Sequence, residues 1–244
     1  MGFRAMEIEL FTCRSDNYGV LVRDPATGTV AAIDAPELAP IEAALARRGW
    51  KLDVILVTHK HFDHIEAIAP LVAKYGAKLV APVLAKAEVP LADRYVDEGD
   101  VVEIGALRAD VWATPGHCVD HVSYHFAREQ VIFVADVLFV MGCGRVLDST
   151  VEALHRSVMR IAALPDATRV YCGHEYTLSN AKFCAHVEPG NAAIAARLKA
   201  VEAARAAGRF TVPTTIAEEK ATNVFMRAAG LAEFAARREA KNAF

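Results

Sequence analysis

A seven-residue segment near position 60 concentrates side chains of the types that bind metals. Residues 58–64 read THKHFDH, which places His59, His61, Asp63 and His64 in an HxHxDH pattern. Adjacent imidazoles repel one another when protonated, whereas neutral imidazole and carboxylate are ligands that zinc, iron and manganese accept. The apolar run 54–57 predicts a strand just before the segment, and α/β proteins usually build their sites at the carboxyl ends of strands. The pattern therefore predicts a divalent-metal site.

Three later strand ends also carry residues of ligand type. His117 follows the apolar segment 109–113, Asp136 follows 131–135, and His174 follows 169–172. A lone histidine after a strand is usually a hydrogen-bonded core or surface residue, and a lone aspartate is often a cap or a turn residue. A bare carboxylate in an apolar run is costly to bury, however, and metal coordination is one of the few ways to keep it ionised. Taken jointly, the three positions predict further ligands that converge on one rim.

The chain changes character at about residue 175. Before that point short β-like runs alternate with helical segments; after it alanine dominates and apolar residues recur at helical spacing. We therefore predict an α/β domain over residues 1–174, which carries the metal site, and a helical substrate-binding domain over residues 175–244. The predicted strands are 8–13, 19–23, 30–33, 54–57, 78–81, 101–104, 109–113, 122–126, 131–135 and 169–172, and the predicted helices are 40–48, 67–75, a segment opened by a Ser149 capping box and running to Pro165, 191–207 and 231–243.

Composition excludes several classes of function. The net charge of −3 and the pI of about 6.3 give no basis for binding nucleic acid or an anionic membrane. The longest apolar run, 131–144, contains Asp136 and is too short to span a bilayer. The five cysteines are odd in number and form no CxxC pair, which indicates a reduced, cytoplasmic protein. No pattern in the sequence sets the oligomeric state.

The motifs together resemble a known family. The order HxHxDH, Gly-His, Asp, Gly-His is similar to the metallo-β-lactamase fold superfamily, and three later blocks narrow the resemblance to glyoxalase II, the hydroxyacylglutathione hydrolases. The blocks are GCGR at 142–145, CGHEYT at 172–177 with VEPGN at 187–191, and VPTTIAEEK at 212–220 with NVFMR at 223–227. The chain departs from the family at Ile65-Glu66-Ala67 and Asp120, where glycines are common, and at Val146-Leu147, where aromatics are common.

This resemblance implies a fold and a two-metal site. The fold would be an αββα sandwich with a C-terminal α-helical domain. His59, His61 and His117 would hold one divalent ion, Asp63, His64 and His174 a second, and Asp136 would bridge them; zinc is the first candidate, with iron and manganese as alternatives. Asp63 and Asp136 would be catalytic. Arg145, Tyr176 and Arg227 match family positions that contact glutathione, whose carboxylates suit arginine.

The implied reaction is hydrolysis of an S-(2-hydroxyacyl)glutathione thioester, such as lactoylglutathione, to the 2-hydroxy acid and glutathione, a step of methylglyoxal detoxification. The same motifs leave four alternatives. They are an iron-dependent persulfide dioxygenase of the same fold, a hydrolase of this fold acting on another thioester, a tRNA-processing nuclease, and a non-catalytic thioester-binding protein. The net charge disfavours the nuclease, and the complete set of ligand types disfavours the binding protein.

Overall fold

The computed structural model describes residues 5–244. Over these residues the chain forms two compact units. The first contains the described residues up to Ala113 together with Asp120–Glu129, and the second contains Thr114–Val119 and Gln130–Phe244. The boundary between the compact units therefore differs from the boundary predicted from the sequence, because the strands after residue 130 belong to the same unit as the later helices. The functional boundary at residue 174 stays a prediction.

A six-stranded sheet is the centre of the first unit. The strands lie side by side in chain order. The first three pair antiparallel, and the third to the sixth pair parallel, so the third strand takes part in both kinds of pairing. Parallel pairing requires crossover connections, which the helices between the strands provide. The strands are β1 (Glu7–Cys13), β2 (Asn17–Arg23), β3 (Val30–Ile33), β4 (Val54–Leu56), β5 (Lys78–Pro82) and β6 (Arg94–Val96).

Helices α1 (Leu38–Arg48) and α3 (Ile68–Tyr75) cover one face of this sheet, and the four-residue α2 (Phe62–Ile65) lies between β4 and α3. Gly49 ends α1 in the left-handed conformation (φ 64°), as its position after the helical pattern predicts. Side chains at alternate strand positions pack against the helices in one apolar core. This core contains Phe11, Leu21, Val30, Ile55, Val57 and Leu79 from the sheet, and Ile41, Leu45, Ile68 and Leu71 from the helices.

The first unit also contains an antiparallel ladder. Strand β7 (Val101–Ile104) pairs with β8 (Leu107–Ala113), and β8 pairs with β9 (Val122–Phe126). All five residues of β9 are buried. Just before this strand, Asp120 accepts a hydrogen bond from the backbone N–H of Lys60, which lies between His59 and His61.

The second unit combines strands with most of the helical content. Strand β10 (Val131–Ala135) pairs parallel with β13 (Arg169–Cys172), which pairs antiparallel with the short β14 (Thr214–Thr215). Strands β11 (Leu138–Phe139) and β12 (Gly142–Cys143) form a small hairpin. The helices are α4 (Val151–Ala162), α5 (Thr177–Val187), α6 (Ala192–Ala206), α7 (Ile216–Thr222) and α8 (Leu231–Ala243).

Helix caps in this unit refine the sequence prediction. Thr150, not Ser149, caps α4: its side chain accepts a hydrogen bond from the Ala153 N–H at 3.1 Å. The reciprocal capping box occurs instead at Thr215 and Glu218, where α7 begins. Within residues 5–244 no helix has both the length and the hydropathy that a membrane span needs.

Candidate active site

The HxHxDH residues lie close together in the first unit. The chain leaves β4, passes through His59 and His61, and enters α2, whose first turn carries Asp63 and His64. The ring centroid of His59 lies 4.7 Å from that of His61 and 4.0 Å from that of His64. A single short turn after one strand thus brings the three imidazoles together, as the spacing predicts.

Asp34, directly after β3, orients this loop and is not among the site residues predicted from the sequence. One carboxylate oxygen accepts the Thr58 backbone N–H at 2.7 Å; the other accepts the Thr58 hydroxyl at 2.7 Å and lies 2.8 Å from His64 Nδ1. Asp34 lies near enough to His59 and His64 to complete a ligand set with them. Because its oxygens already accept three hydrogen bonds, we assign Asp34 an orienting role. The sequence feature that could have pointed to Asp34 is its position directly after an apolar strand.

Hydrogen bonding fixes which ring nitrogen each of these histidines offers. The carboxylate of Asp34 can only accept, so His64 donates through Nδ1 and, when neutral, keeps the lone pair on Nε2. His59 Nδ1 lies 3.0 Å from the Thr58 hydroxyl, whose hydrogen goes to Asp34, so His59 also donates through Nδ1. Metal-ligating histidines are usually held by a hydrogen bond of this kind. The residues present therefore fit a divalent metal.

Two further contacts hold the same loop. Asn17 donates through Nδ2 to the Asp63 carboxylate at 2.9 Å and to the Asp63 carbonyl at 3.2 Å, which fixes the orientation of that ligand candidate. Asp120 accepts the backbone N–H of Lys60 at 2.7 Å, and its other oxygen lies 3.7 Å from the Lys60 ammonium. Asp120, which departs from the family glycine, thus tethers the residue between two histidines.

An asparagine at position 34 is expected to weaken metal binding. The amide group would point hydrogens either at the Thr58 N–H or at the Thr58 hydroxyl and His64 Nδ1, so the loop would lose at least one of the acceptors that orient it. Loss of such an outer hydrogen bond typically costs about 10–100-fold in metal affinity, and we expect a value in that range, measured by competition with a chromogenic chelator. Asp53→Asn is the matched control, because Asp53 accepts the Val30 N–H at 2.9 Å away from the ligand loop. Equal metal affinities in the two variants would contradict the assigned role.

The ligand candidates of the second unit also converge. Asp136 and His174 follow β10 and β13, which are adjacent and parallel with Ala135 opposite Cys172, so both side chains leave the same end of the sheet. His174 Nε2 lies 3.2 Å from Asp136 Oδ2, and His117 Nε2 lies 3.6 Å from the same oxygen. The prediction that strand ends bring these three residues to one rim is thereby confirmed within this unit.

His117 and His174 have neighbours that fix their rings. His117 donates through Nδ1 to the Arg145 carbonyl at 2.9 Å, which leaves Nε2 with the lone pair. His174 stacks on Tyr176 with a centroid separation of 4.8 Å and an interplanar angle of 3°. Gly144 lets the chain pass close to Asp136, because a Cβ at this position would collide with the Asp136 carbonyl oxygen.

A cavity of about 510 Å³ opens in the second unit beside these residues. Two ligand candidates and two of the three predicted substrate contacts line it. Its lining residues include His117, Asp136, Phe139, Cys143, Arg145, Leu147, Tyr176, Ser179, Asn180, Arg238, Lys241 and Asn242.

Positive charge dominates this cavity. Arg145, Arg238 and Lys241 line it, and none of the three forms an ion pair with a carboxylate within residues 5–244. Arg238 donates to the carbonyls of Cys143 (2.7 Å) and Gly144 (3.3 Å) instead. Burial lowers the pKa of Lys241, and the nearby positive charge of Arg238 lowers it further. The cavity is therefore suited to an anionic ligand.

Models of known protein families match both parts of the chain. The metallo-β-lactamase superfamily model matches residues 14–174, and the hydroxyacylglutathione hydrolase C-terminus model matches residues 175–244. A hydroxyacylglutathione hydrolase from Methylobacterium sp. (strain 4-46) is 53% identical over 91% of this chain and 87% of its own length.

The chain belongs to the hydroxyacylglutathione hydrolase family. It is accordingly a metal-dependent hydrolase with the metallo-β-lactamase fold, as the resemblance in sequence implies. Solved structures agree: ETHE1 from Myxococcus xanthus has a TM-score of 0.74 and 30% identity, covering 96% of this chain and 90% of its own. The protein TTHA1623, solved in a di-iron-bound form, has a TM-score of 0.58 and 27% identity, covering 69% of this chain and 91% of its own.

Arg227 does not line the cavity, although it is predicted to contact the substrate. Its Nε donates to Glu188 at 2.9 Å, and it lines a separate shallow cleft with Gly190 and Asn191. Glu188 also pairs with Arg237 at 3.3 Å. Its role as a glutathione contact stays a prediction, and the ion pair weakens it.

The environments of the cysteines argue against a nucleophilic role. All five are buried, and none forms a disulfide within the described residues. Burial raises the pKa of the Cys143 thiol to about 11, although the Arg238 guanidinium opposes this, and it raises the pKa of Cys172 to about 12. A thiol that stays protonated near neutral pH is a poor nucleophile, which leaves metal-assisted hydrolysis as the chemistry of the site.

Proposed function

We propose that this protein hydrolyses S-(2-hydroxyacyl)glutathione thioesters, such as lactoylglutathione, to the 2-hydroxy acid and glutathione. One observation carries the substrate assignment: three cations, which pair with no carboxylate of the described residues 5–244, line the same cavity as His117 and Asp136. Glutathione carries two carboxylates and a net negative charge, and charge-assisted hydrogen bonds from arginine and lysine suit such a ligand. The names of the relatives support the same substrate.

We further propose that seven side chains hold two divalent ions. The set is His59, His61 and His117 for one ion, Asp63, His64 and His174 for the other, and Asp136 for both. Zinc is the first candidate, since histidine nitrogen and carboxylate oxygen are its usual ligands; iron and manganese accept the same set. When bound, such ions supply hydroxide at neutral pH and polarise the thioester carbonyl.

The protein side chains prepare this chemistry. Asp34 and the Arg145 carbonyl keep His64 and His117 in the tautomer that presents Nε2. Asn17 holds one oxygen of Asp63, which is then placed to orient or take up a proton from the nucleophile. The cations bind the carboxylates of glutathione and so hold the thioester at a fixed distance from the ligand residues. The departing thiolate needs little protonation, because thiols are far more acidic than amines.

The alternative within this fold is an iron-dependent persulfide dioxygenase, which also acts on a glutathione derivative. The match of residues 175–244 to the hydroxyacylglutathione hydrolase C-terminus favours the thioesterase, as does the retention of His64 and His174 in the sequence. We place the enzyme in the cytoplasm on the basis of its odd, unpatterned set of cysteines.

Release of thiol from lactoylglutathione by the purified protein tests the proposal. We expect one thiol per thioester consumed, loss of activity after treatment with a chelator, and recovery when zinc is restored. The matched substrate is the lactoyl thioester of N-acetylcysteamine, which lacks both carboxylates and should show a much lower kcat/KM. Oxygen uptake with glutathione persulfide, in a preparation that releases no thiol from lactoylglutathione, would establish the alternative instead.

A further inference from the structure

The second unit contains a buried acid that the proposed chemistry does not use. Glu219, in α7, is fully buried. One carboxylate oxygen accepts the Met141 backbone N–H at 2.7 Å and the Asn223 side-chain amide at 2.9 Å; the other accepts the Thr214 hydroxyl at 2.7 Å. Arg197 lies 3.6 Å away. Burial raises the pKa of Glu219, while Arg197 and the hydrogen bonds oppose the rise. A carboxylate kept buried with this many donors has a specific task in holding its neighbours.

The group that Glu219 holds is the tight turn between β11 and β12. Met141 in this turn has φ 57°, a left-handed conformation that a residue with a Cβ rarely adopts without outside support. Glu219 binds its N–H. Asn223 donates through Nδ2 to the Gly142 carbonyl at 3.0 Å, on the following residue. Two side chains from one stretch of the C-terminal region therefore fix successive backbone groups of a strained turn.

The turn leads directly to residues of the active site. Strand β12 ends at Cys143, and Arg145 follows two residues later, with its side chain in the cavity and its carbonyl on His117 Nδ1 at 2.9 Å. The segment between has no slack, because Gly144 runs against the Asp136 carbonyl at a distance that leaves no room for a Cβ. A shift of the turn would therefore move both the Arg145 guanidinium and the hydrogen bond that orients His117.

We propose that Glu219 and Asn223 are positioning residues that couple the C-terminal region to the metal centre through the segment 141–145. They set the place of Arg145 for the substrate and of the Arg145 carbonyl for His117. The proposal rests on the proposed function only in taking His117 as a metal ligand and Arg145 as a substrate contact. The motif VPTTIAEEK at 212–220, which contains Glu219, would thereby act on the active site as well as forming part of the helical region.

The variant Glu219→Gln tests this coupling. Glutamine has nearly the same shape, but its amide hydrogens must face at least one of the present donors. We expect one of the two zinc ions to be released to a chelator at roughly tenfold lower concentration than in wild type, on the scale known for outer hydrogen bonds of metal ligands. With zinc in excess, KM for lactoylglutathione should rise several-fold. Glu218→Gln is the matched control: it removes the neighbouring charge, which also pairs with Arg197, and should leave both values unchanged.

Asn223→Ala provides a second test that leaves the Glu219 carboxylate in place, so it stands if Glu219→Gln does not fold. It should weaken the same zinc ion to a smaller degree. A loss of thermal stability in either folded variant, with zinc release and KM at wild-type values, would reduce the two residues to a purely structural role and overturn the proposal. Zinc release is measured without substrate. Failure of thioester hydrolysis in the wild type would therefore refute the proposed function and leave this coupling to stand or fall by itself.

Discussion

Replacing Asp136 by asparagine is expected to lower kcat for lactoylglutathione by roughly 100-fold or more, because loss of only an outer hydrogen-bond partner of a metal ligand already costs about 10–100-fold in metal affinity or activity. The substitution removes the negative charge shared by the two proposed ions, and it places amide hydrogens beside His117 and His174, whose Nε2 atoms lie 3.6 Å and 3.2 Å from the carboxylate. The zinc content per chain should fall below two. Both quantities are measured on one preparation, by thiol release and by elemental analysis.

Asp166→Asn is the matched control for this experiment, because Asp166 lies in the same unit and pairs only at the surface with Lys220 at 2.7 Å. The control should keep full activity and two zinc ions. An Asp136→Asn protein that retained both ions and more than half of the wild-type kcat would refute the shared-ligand role and, with it, the two-metal proposal.

The parts of the site that sequence alone predicted are those that local geometry determines. Residues 59–64 converge because one short turn and one helical turn cannot separate them. Asp136 and His174 converge because they follow adjacent parallel strands, and the carboxyl ends of such strands meet at one edge. The first convergence needs no knowledge of how distant segments pack, and the second requires only that two strands joined through a helix pair side by side in parallel. Most strands and the longer helices were predictable for the same reason, since their apolar periodicity is local.

The parts that were missed depend on tertiary packing. Asp34 looks like an ordinary turn residue until the fold brings Thr58 and His64 to its oxygens. Glu219 looks like a surface residue of a charged helix, and only the β11–β12 turn shows why it is buried. The short helices α2 and α7 escaped prediction, and so did the 11-residue α5. The buried residues of α5 include Thr177 and Asn180, so its inner face lacks the apolar signal that marks a helix.

The C-terminal helix shows the same limit in one comparison. In α8 the sequence ARREAK predicts a solvated, charged face. Its two neighbouring arginines nevertheless lie in different environments. Arg237 pairs with Glu188 and Glu233, whereas Arg238, about 100° further around the helix, is buried and lines the cavity. Lys241, one turn later, joins Arg238 on that side. From the sequence, Arg227 is the cation of the C-terminal region that is predicted to contact the substrate. Only the packing shows which cations face the cavity.

Lys241→Met is expected to raise KM for lactoylglutathione by roughly 10-fold or more with little change in kcat, since a hydrogen bond to a charged group contributes about 1.5–3 kcal/mol. Methionine has a similar length and can pack against Phe183, which the ammonium now approaches at 5.4 Å from the ring centroid. The effect on KM should shrink as ionic strength rises, because salt screens the attraction in the wild type. Steady-state kinetics at two salt concentrations measure both effects.

Arg227→Met and Lys182→Met decide between the two placements of the substrate. Arg227 is held by Glu188, so its loss should change KM less than twofold, like the loss of the exposed Lys182. A large rise in KM for Arg227→Met together with a normal KM for Lys241→Met would show that glutathione binds along the shallow cleft beside Glu188. The cations of the cavity would then serve only to hold its walls, and the assignment of the substrate to the cavity would be wrong.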